Sequence, residues 1–198
     1  MTETLRPMEK RDAGAVARLH AETITNGFLR KLGRRFLRQL YLGVAADPGS
    51  WVCVAERNGT VLGFLAYSQD VSAMYRRVLR ARWWRLGLAS LPRSLNLLLI
   101  KEILDTLRYP AKQAAQALPP AEILSVAVDS KARGSGLGRR LVERAVAHAK
   151  EDGQPQLKVL AGARLEAANR FYAACGFQKA AELVQHGEVL NVYIKSTA

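Results

Sequence analysis

The chain has 198 residues, a net charge of +13 and an ordinary apolar content of 49%. A chain of this length buries about 70% of the surface it would expose unfolded, so it needs neither a disulfide framework nor a structural metal to form a core. No uncharged apolar run approaches the ~20 residues of a membrane span. The first residues, MTETLRPMEKRD, lack the apolar centre of a signal peptide. Cys53 and Cys175 stand far apart and outside any metal-ligand spacing. These features predict one domain over 1–198 in the cytoplasm, with reduced thiols and no metal. The surplus of charge is uneven: residues 1–100 carry 16 Lys and Arg against 7 acids, and residues 101–198 carry 14 against 10. It favours anionic partners. No helix-turn-helix, zinc finger or RNA-binding aromatic motif accompanies it, so nucleic acid is not the expected partner.

Thr4 to Met8 predicts a short first strand. Asp12 is placed to cap a helix that runs through His20 with Ala13, Val16, Ala17 and His20 on one side. From Leu32 to Ala45, the residues Phe36, Leu37, Leu40, Tyr41 and Val44 form the apolar face of a second helix, stopped by Asp47-Pro48-Gly49. Two strands follow, Trp51 to Glu56 and Thr60 to Ser68. They flank Arg57-Asn58-Gly59, and Asn-Gly is a strong hairpin signal. Gly63 inside the second strand predicts a bulge.

Residues 71–118 break this alternation. Between Val71 and Lys101 there are seven basic residues and no acid, interleaved with Trp83, Trp84 and a leucine-rich run ending in Ile100. The pattern predicts two or three helices broken near Pro92 and closed by Pro110. Its simplest use is a helical hairpin with a solvated basic face and the tryptophans packed inside. An acceptor lid, a homodimer surface and a membrane-surface helix are the sharper alternatives. The arginine surplus itself predicts an anionic acceptor or partner surface.

Glu122 opens the central strand, whose apolar run from Ile123 to Val128 is rich in β-branched residues. A loop with Gly134, Gly136 and Gly138 follows. Then Leu137, Leu141, Val142, Ala145, Val146 and Ala149 mark an amphipathic helix. A helix N-terminus presents N–H groups without intrahelical partners and a positive dipole end, and glycines let a phosphate approach that backbone. A tight glycine-rich turn with no ligand is the plainer alternative. Nucleotide triphosphate is disfavoured, because Gly138 is followed by Arg139 and Arg140 rather than Lys and Ser or Thr. A dinucleotide is disfavoured too: the next strand closes on Ala161-Gly162 without an acid for the ribose. Gln156 to Ala161 is that strand, and Leu165 to Cys175 a helix ended by Gly176. Two closing strands, about 177–184 and 188–195, meet near His186-Gly187.

Arg133-x-x-Gly136-x-Gly138 directly after Val126-Ala127-Val128 resembles the acetyl-CoA signature of the GNAT superfamily of N-acetyltransferases. Ala168-Asn169-Arg170-Phe171-Tyr172 and then Cys175-Gly176-Phe177 resemble its second motif. The two motifs in this order and spacing cover residues 120–180; the pattern extends to 1–70 and stops at 71–118. The resemblance implies a single α/β (α+β) domain. Its mixed, mostly antiparallel sheet of six or seven strands is flanked by helices, splays between the strands at 123–128 and 157–161, and carries a helical insertion at about 71–118.

The resemblance implies acetyl-CoA as co-substrate. Its pyrophosphate would lie on Arg133, Gly134, Ser135, Gly136, Leu137, Gly138 and Arg139, and its pantetheine arm along Val126, Ala127 and Val128. Asn169 would make a further contact, although the family's other asparagine, seven residues before the tyrosine, is Leu165 here. Tyr172 matches the general acid that faces the coenzyme sulfur. Glu122 matches the general base of several members, with Glu22 and His20 as competitors. The implied activity is direct acetyl transfer to a primary amine of a small molecule such as an amino sugar or amino acid derivative. A protein N-terminus or lysine is the less favoured acceptor. The alternative is a non-catalytic module on the same fold that binds acyl-CoA, nucleic acid or a membrane surface.

Overall fold

The computed structural model describes residues 3–24, 28–90, 118–185 and 187–198. Its centre is one seven-stranded sheet formed by β1 (Thr4–Pro7), β2 (Ser50–Arg57), β3 (Thr60–Ser68), β4 (Glu122–Val128), β5 (Gln156–Gly162), β6 (Gln178–Gln185) and β7 (Glu188–Ser196). The spatial order is β1-β2-β3-β4-β5-β7-β6, and β4 with β5 is the parallel pair among antiparallel ones. Helices α1 (Ala13–Thr23), α2 (Phe28–Lys31), α3 (Gly33–Val44) and α4 (Val71–Ser90) precede β4. Helices α5 (Leu137–Glu151) and α6 (Glu166–Ala174) alternate with the later strands.

Two apolar layers sandwich the sheet. On one face Leu137, Leu141, Ala145 and Ala149 of α5 and Tyr172 of α6 pack on Leu65, Ile123, Leu157 and Val159. On the other, Val16, Leu37, Leu40, Val44, Met74 and Val78 pack on Val52, Val54, Phe64 and Ala66. The stripe read from the sequence of α5 is the buried one. Gly63 allows that helix to lie close, since a Cβ there would sit 3.1 Å from the Ala127 carbonyl oxygen and 3.2 Å from Leu141 Cδ1. The bulge expected at Gly63 falls one residue earlier. Ala55 pairs with Gly63 and Glu56 with Val61, which leaves Leu62 as the extra residue.

A second bulge shapes the site. Ser125 pairs with Ala66 and Ile123 with Tyr67, so Leu124 is the extra residue of β4. It resets the strand's alternation: Ile123 and then Val126 and Val128 face α5, while Leu124 and Ala127 face α1 and α3. β4 and β5 pair only at Glu122–Lys158 and Ile123–Val159, and beyond the bulge they part.

Asp12 does not cap α1 as expected. Its carboxylate accepts both terminal nitrogens of Arg6, at 2.6 and 3.0 Å, and the Glu9 N–H at 2.8 Å. This binds β1 to the start of the helical layer, and the Arg6 guanidinium holds the Asp12 carboxyl below the usual carboxylate range. Both cysteines are buried and unpaired. Of the expected insertion, α4 fills 71–90. The breaks at Pro92 and Pro110 and the run to Ile100 lie outside the described residues, as does His186 of the closing turn. No helix among the described residues is long and apolar enough to cross a membrane.

Candidate active site

The gap between the splayed ends of β4 and β5 holds two adjoining cavities of about 590 and 550 Å3, which share Thr23, Val126, Ala167, Ala168 and Tyr172 on their walls. The first runs from Val126, Ala127 and Val128 past Arg133, Gly134 and Gly136 to Leu137, Gly138 and Arg139. The second runs from Thr23, Ile24 and Ser125 to Leu165 and Glu188.

Local geometry explains the first wall. Asp129 Oδ1 accepts the Lys131 N–H at 3.0 Å, and Ser135 Oγ donates to the Ala132 carbonyl at 2.8 Å, which folds the loop after β4 into a short 3-10 turn. Gly134 and Gly136 then take φ of +77° and +79°, left-handed values that cost a residue with a Cβ roughly 1–2 kcal/mol. Gly136 is the N-cap of α5, and the first intrahelical bond is Arg140 N–H to Gly136 O at 3.1 Å. The N–H groups of Leu137, Gly138 and Arg139 therefore lack helical partners and stand at the cavity wall. A Cβ at Gly134 or Gly136 would meet nothing within 4 Å, so the space before that backbone is open. At Gly138 it would lie 3.4 Å from the Phe171 ring, which seats α6 against the start of α5. Arg133 adds charge at the wall, and Arg139 is paired with Glu143 at 2.9 Å.

The edge of β4 completes this wall. Among the described residues, no strand lies beside it on the β5 side from Leu124 onward. Its outward amide groups are left for a ligand, as in recognition by strand addition.

Tyr172 sits at the junction of the cavities, in a cage of Phe171, Phe177 and Tyr193 with ring centroids 5.2, 6.0 and 6.2 Å away. Burial pushes its pKa well above the ordinary tyrosine value, so the phenol keeps its proton near neutrality.

Three expected site residues do not line the cavities: Asn169, Glu122 and Ser135. The Asn169 side-chain amide is consumed by the fold. Its Nδ2 donates to the Gly162 and Leu165 carbonyls at 2.9 and 2.8 Å, while its Oδ1 accepts from Asn191 Nδ2 at 2.8 Å and the Tyr193 hydroxyl at 2.9 Å. Asn169 is thus a clamp that ties the β5–α6 turn to β7, not a free ligand contact. Glu122, buried in β4, faces Lys158 of β5 with Nζ–Oε2 at 3.5 Å. Lys158 is itself fully buried and also donates to the Pro119 and Pro120 carbonyls. Ser135, the remaining loop residue, supports the turn rather than the wall.

The other candidate bases separate clearly. Glu22 is exposed and paired with Arg18 at 2.9 Å. His20 is buried, and its Nδ1 lies 2.6 Å from the Tyr41 hydroxyl. Burial lowers its pKa to about 4, which keeps the ring uncharged. Ser125 stands close enough to the Tyr41 hydroxyl to act on its pKa and donates its own Oγ to the Leu124 carbonyl at 2.7 Å, so polar groups from α1 and α3 lead to the wall of the second cavity. Sequence reading missed Thr23, Ser125 and Phe171. Ser125 alone left a trace, as the one hydroxyl inside an otherwise apolar strand.

Residues 100–179 match the family model of the acetyltransferase (GNAT) domain. Over that stretch the chain is similar to the GNAT acetyltransferases. Its fold is shared with an N-acetyltransferase from Staphylococcus aureus Mu50, at 19% identity and TM-score 0.66 with all of both chains covered. It is shared with a putative acetyltransferase from Salmonella typhimurium solved with its cofactor acetyl-CoA, at 20% identity and TM-score 0.63 over 100% of this chain and 95% of that one. A ribosomal-protein-alanine N-acetyltransferase from Brucella melitensis is similar at 20% identity and TM-score 0.62, covering 98% and 99%. No curated protein matches. The seven-stranded, mostly antiparallel GNAT sheet and its parted β4 and β5 agree with the fold that the two motifs imply.

Proposed function

We propose that residues 1–198 form one N-acetyltransferase domain that moves an acetyl group from acetyl-CoA to a primary amine of a small molecule. One coincidence carries this reading. The open N–H groups at the start of α5, the unpaired edge of β4 and the protonated Tyr172 phenol all front the same continuous space. The donor set fits the cofactor: backbone N–H groups and the Arg133 guanidinium suit a pyrophosphate, and a free strand edge suits the two amides of a pantetheine arm. Acetyl-CoA supplies the activated acyl group as a thioester.

The chain's own residues supply the rest. Gly134 and Gly136 keep Cβ atoms out of the phosphate path. A backbone N–H of Val126 to Val128 stabilises the charge that develops on the acetyl oxygen. Tyr172 donates a proton to the departing sulfur. The amine must lose a proton, because an alkylammonium has a pKa near ~10. Glu122, three residues from Ser125 along β4, is the proposed acceptor of that proton through water. Its Oε2 lies 3.5 Å from Lys158 Nζ, which fixes where the carboxyl group sits.

The second cavity is the proposed acceptor site. Its volume of about 550 Å3 suits a small molecule, which is why an amino sugar or amino acid derivative is favoured over a protein terminus. Two unpaired buried thiols fit a reducing compartment, and the cytoplasm is the proposed location. The test is thiol release from acetyl-CoA across a panel of amines, beside a calorimetric titration with CoA. Tight CoA binding without thiol release for any small amine, but with release for peptides, would overturn the acceptor class. No CoA binding would overturn the whole reading.

A further inference from the structure

The helix α4 has two unlike sides. A turn of 100° per residue places Val71, Met74, Val78 and Leu86 on one side, and all four are buried in the core layer that α4 shares with α3. Trp83, Arg76, Arg80, Trp84, Arg77 and Leu88 fall within an arc of about 140° on the opposite side. There the exposures run against chemistry: Trp83 is 70% exposed, Trp84 52% and Leu88 63%, the largest apolar exposures among the described helices. The tryptophans expected to pack inside are therefore exposed. Arg76 and Arg80 make no ion pair among the described residues. Arg85 lies over the Trp84 ring at 4.8 Å, and Arg77 is paired with Asp47. No acid occurs between residues 71 and 101.

We propose that this face of α4 docks the protein peripherally on an anionic phospholipid bilayer. Indole rings and an aliphatic tip on a strip that also carries guanidinium groups suit the headgroup boundary. There rings sit at interface depth, arginine stems lie along apolar surface, and the cations meet lipid phosphates. Charge complementarity selects this occupant over two others. A second copy packed symmetrically would bring Arg76 and Arg80 against the same arginines, with no acid to answer them. A nucleic acid would take the arginines and stack on the indoles but leave Leu88 in water. A bilayer satisfies all three groups, and the net charge of +13 draws the protein to it. Spanning is not involved, because the buried side of α4 belongs to the core.

The test is co-sedimentation of the full chain with vesicles of phosphatidylcholine alone, or with about one third phosphatidylglycerol, alongside tryptophan emission. Binding to the anionic vesicles only is expected, with a blue shift and with quenching by bromine-labelled lipid chains. Loss of two charges in Arg76→Gln/Arg80→Gln should weaken binding by roughly 30-fold, since each basic residue near the surface contributes on the order of 1 kcal/mol. Trp83→Ser/Trp84→Ser should weaken it by about ten-fold or more and abolish the quenching. All four positions are on the solvent side, and an unchanged thermal melt confirms that the fold persists. The proposal is overturned if anionic vesicles leave the protein in the supernatant. It is equally overturned if the tryptophan variant binds vesicles as the parent does. Retention of single-stranded nucleic acid in place of vesicles, or a concentration-dependent dimer that the tryptophan variant loses, would assign the face to those occupants instead.

Discussion

The two walls of the cleft are built by different means. The proposed phosphate wall is backbone: two left-handed glycines, three N–H groups of a helix start and a strand edge, all from a single stretch between Val126 and Arg139. The proposed acceptor wall is side chains delivered from distant elements, with Thr23 from α1, Ser125 from β4, Tyr172 from α6 and Glu188 from β7. A backbone wall recognises what every CoA thioester has in common. A side-chain wall can be altered one residue at a time without disturbing the other, and this is where the proposed function puts acceptor choice.

Substitutions can break this division in order of expected effect. Tyr172→Phe removes the proton donor at the junction. Initial rates should show kcat reduced on the order of 10²-fold. Acetyl-CoA affinity should be nearly unchanged, because the phenol acts after binding. A variant that loses stability and keeps kcat would return Tyr172 to the aromatic cage as mere packing.

On the other wall, Gly136→Val should do the reverse and weaken acetyl-CoA binding by roughly 30-fold by calorimetry. Strain contributes to this, since Gly136 has φ +79°. Gly153→Val is the matched control. It has φ +70° beyond the far end of α5, with nothing within 4 Å of its added Cβ, and does not line either cavity. Both variants should lose about 1 kcal/mol of stability. Only the first should lose acetyl-CoA.

Glu122→Gln should lower kcat about ten-fold, most at low pH where the amine holds its proton more firmly. Full activity of this variant at every pH would leave the amine to deprotonate into solvent.

The smallest effect concerns the support behind Ser125. His20 has a folded pKa of about 4 against an ordinary 6.5, so the unfolded chain takes up the proton first as pH falls. Its contribution is complete above the unfolded value and is lost progressively as pH falls from about 6.5 towards 4. Denaturant melts should show a loss of about 1 kcal/mol between about pH 7 and 5.5, and His20→Asn should flatten that slope.

Legibility follows the same division. Gly134 to Arg139, the α5 stripe and the Asn58-Gly59 hairpin were readable because each depends on neighbours a few residues away. The packing of Asn169 was not readable because its hydrogen bonds reach back to the β5–α6 turn and across to Asn191 and Tyr193, partners that its own motif does not show. Asp12 looked like a cap because its spacing to the helix was right, but Arg6 offered two charged donors and won. The α4 tryptophans were placed inside because composition favours it, and only the orientation of Val71, Met74 and Val78 on the core turned them out.

The sequence by itself determined the order of elements, the glycine loop before α5 and the tyrosine that lies across the cavity from it. Those depend on φ preferences, helical periodicity and motif spacing, all local properties of the chain. Only the tertiary structure decided that Leu124 bulges out of β4. That extra residue is defined by pairing with Ala66 and Tyr67 on another strand, and it parts β4 from β5 and brings Ser125 to the acceptor wall. A bulge is a mismatch between two strands, so neither strand's sequence contains it alone.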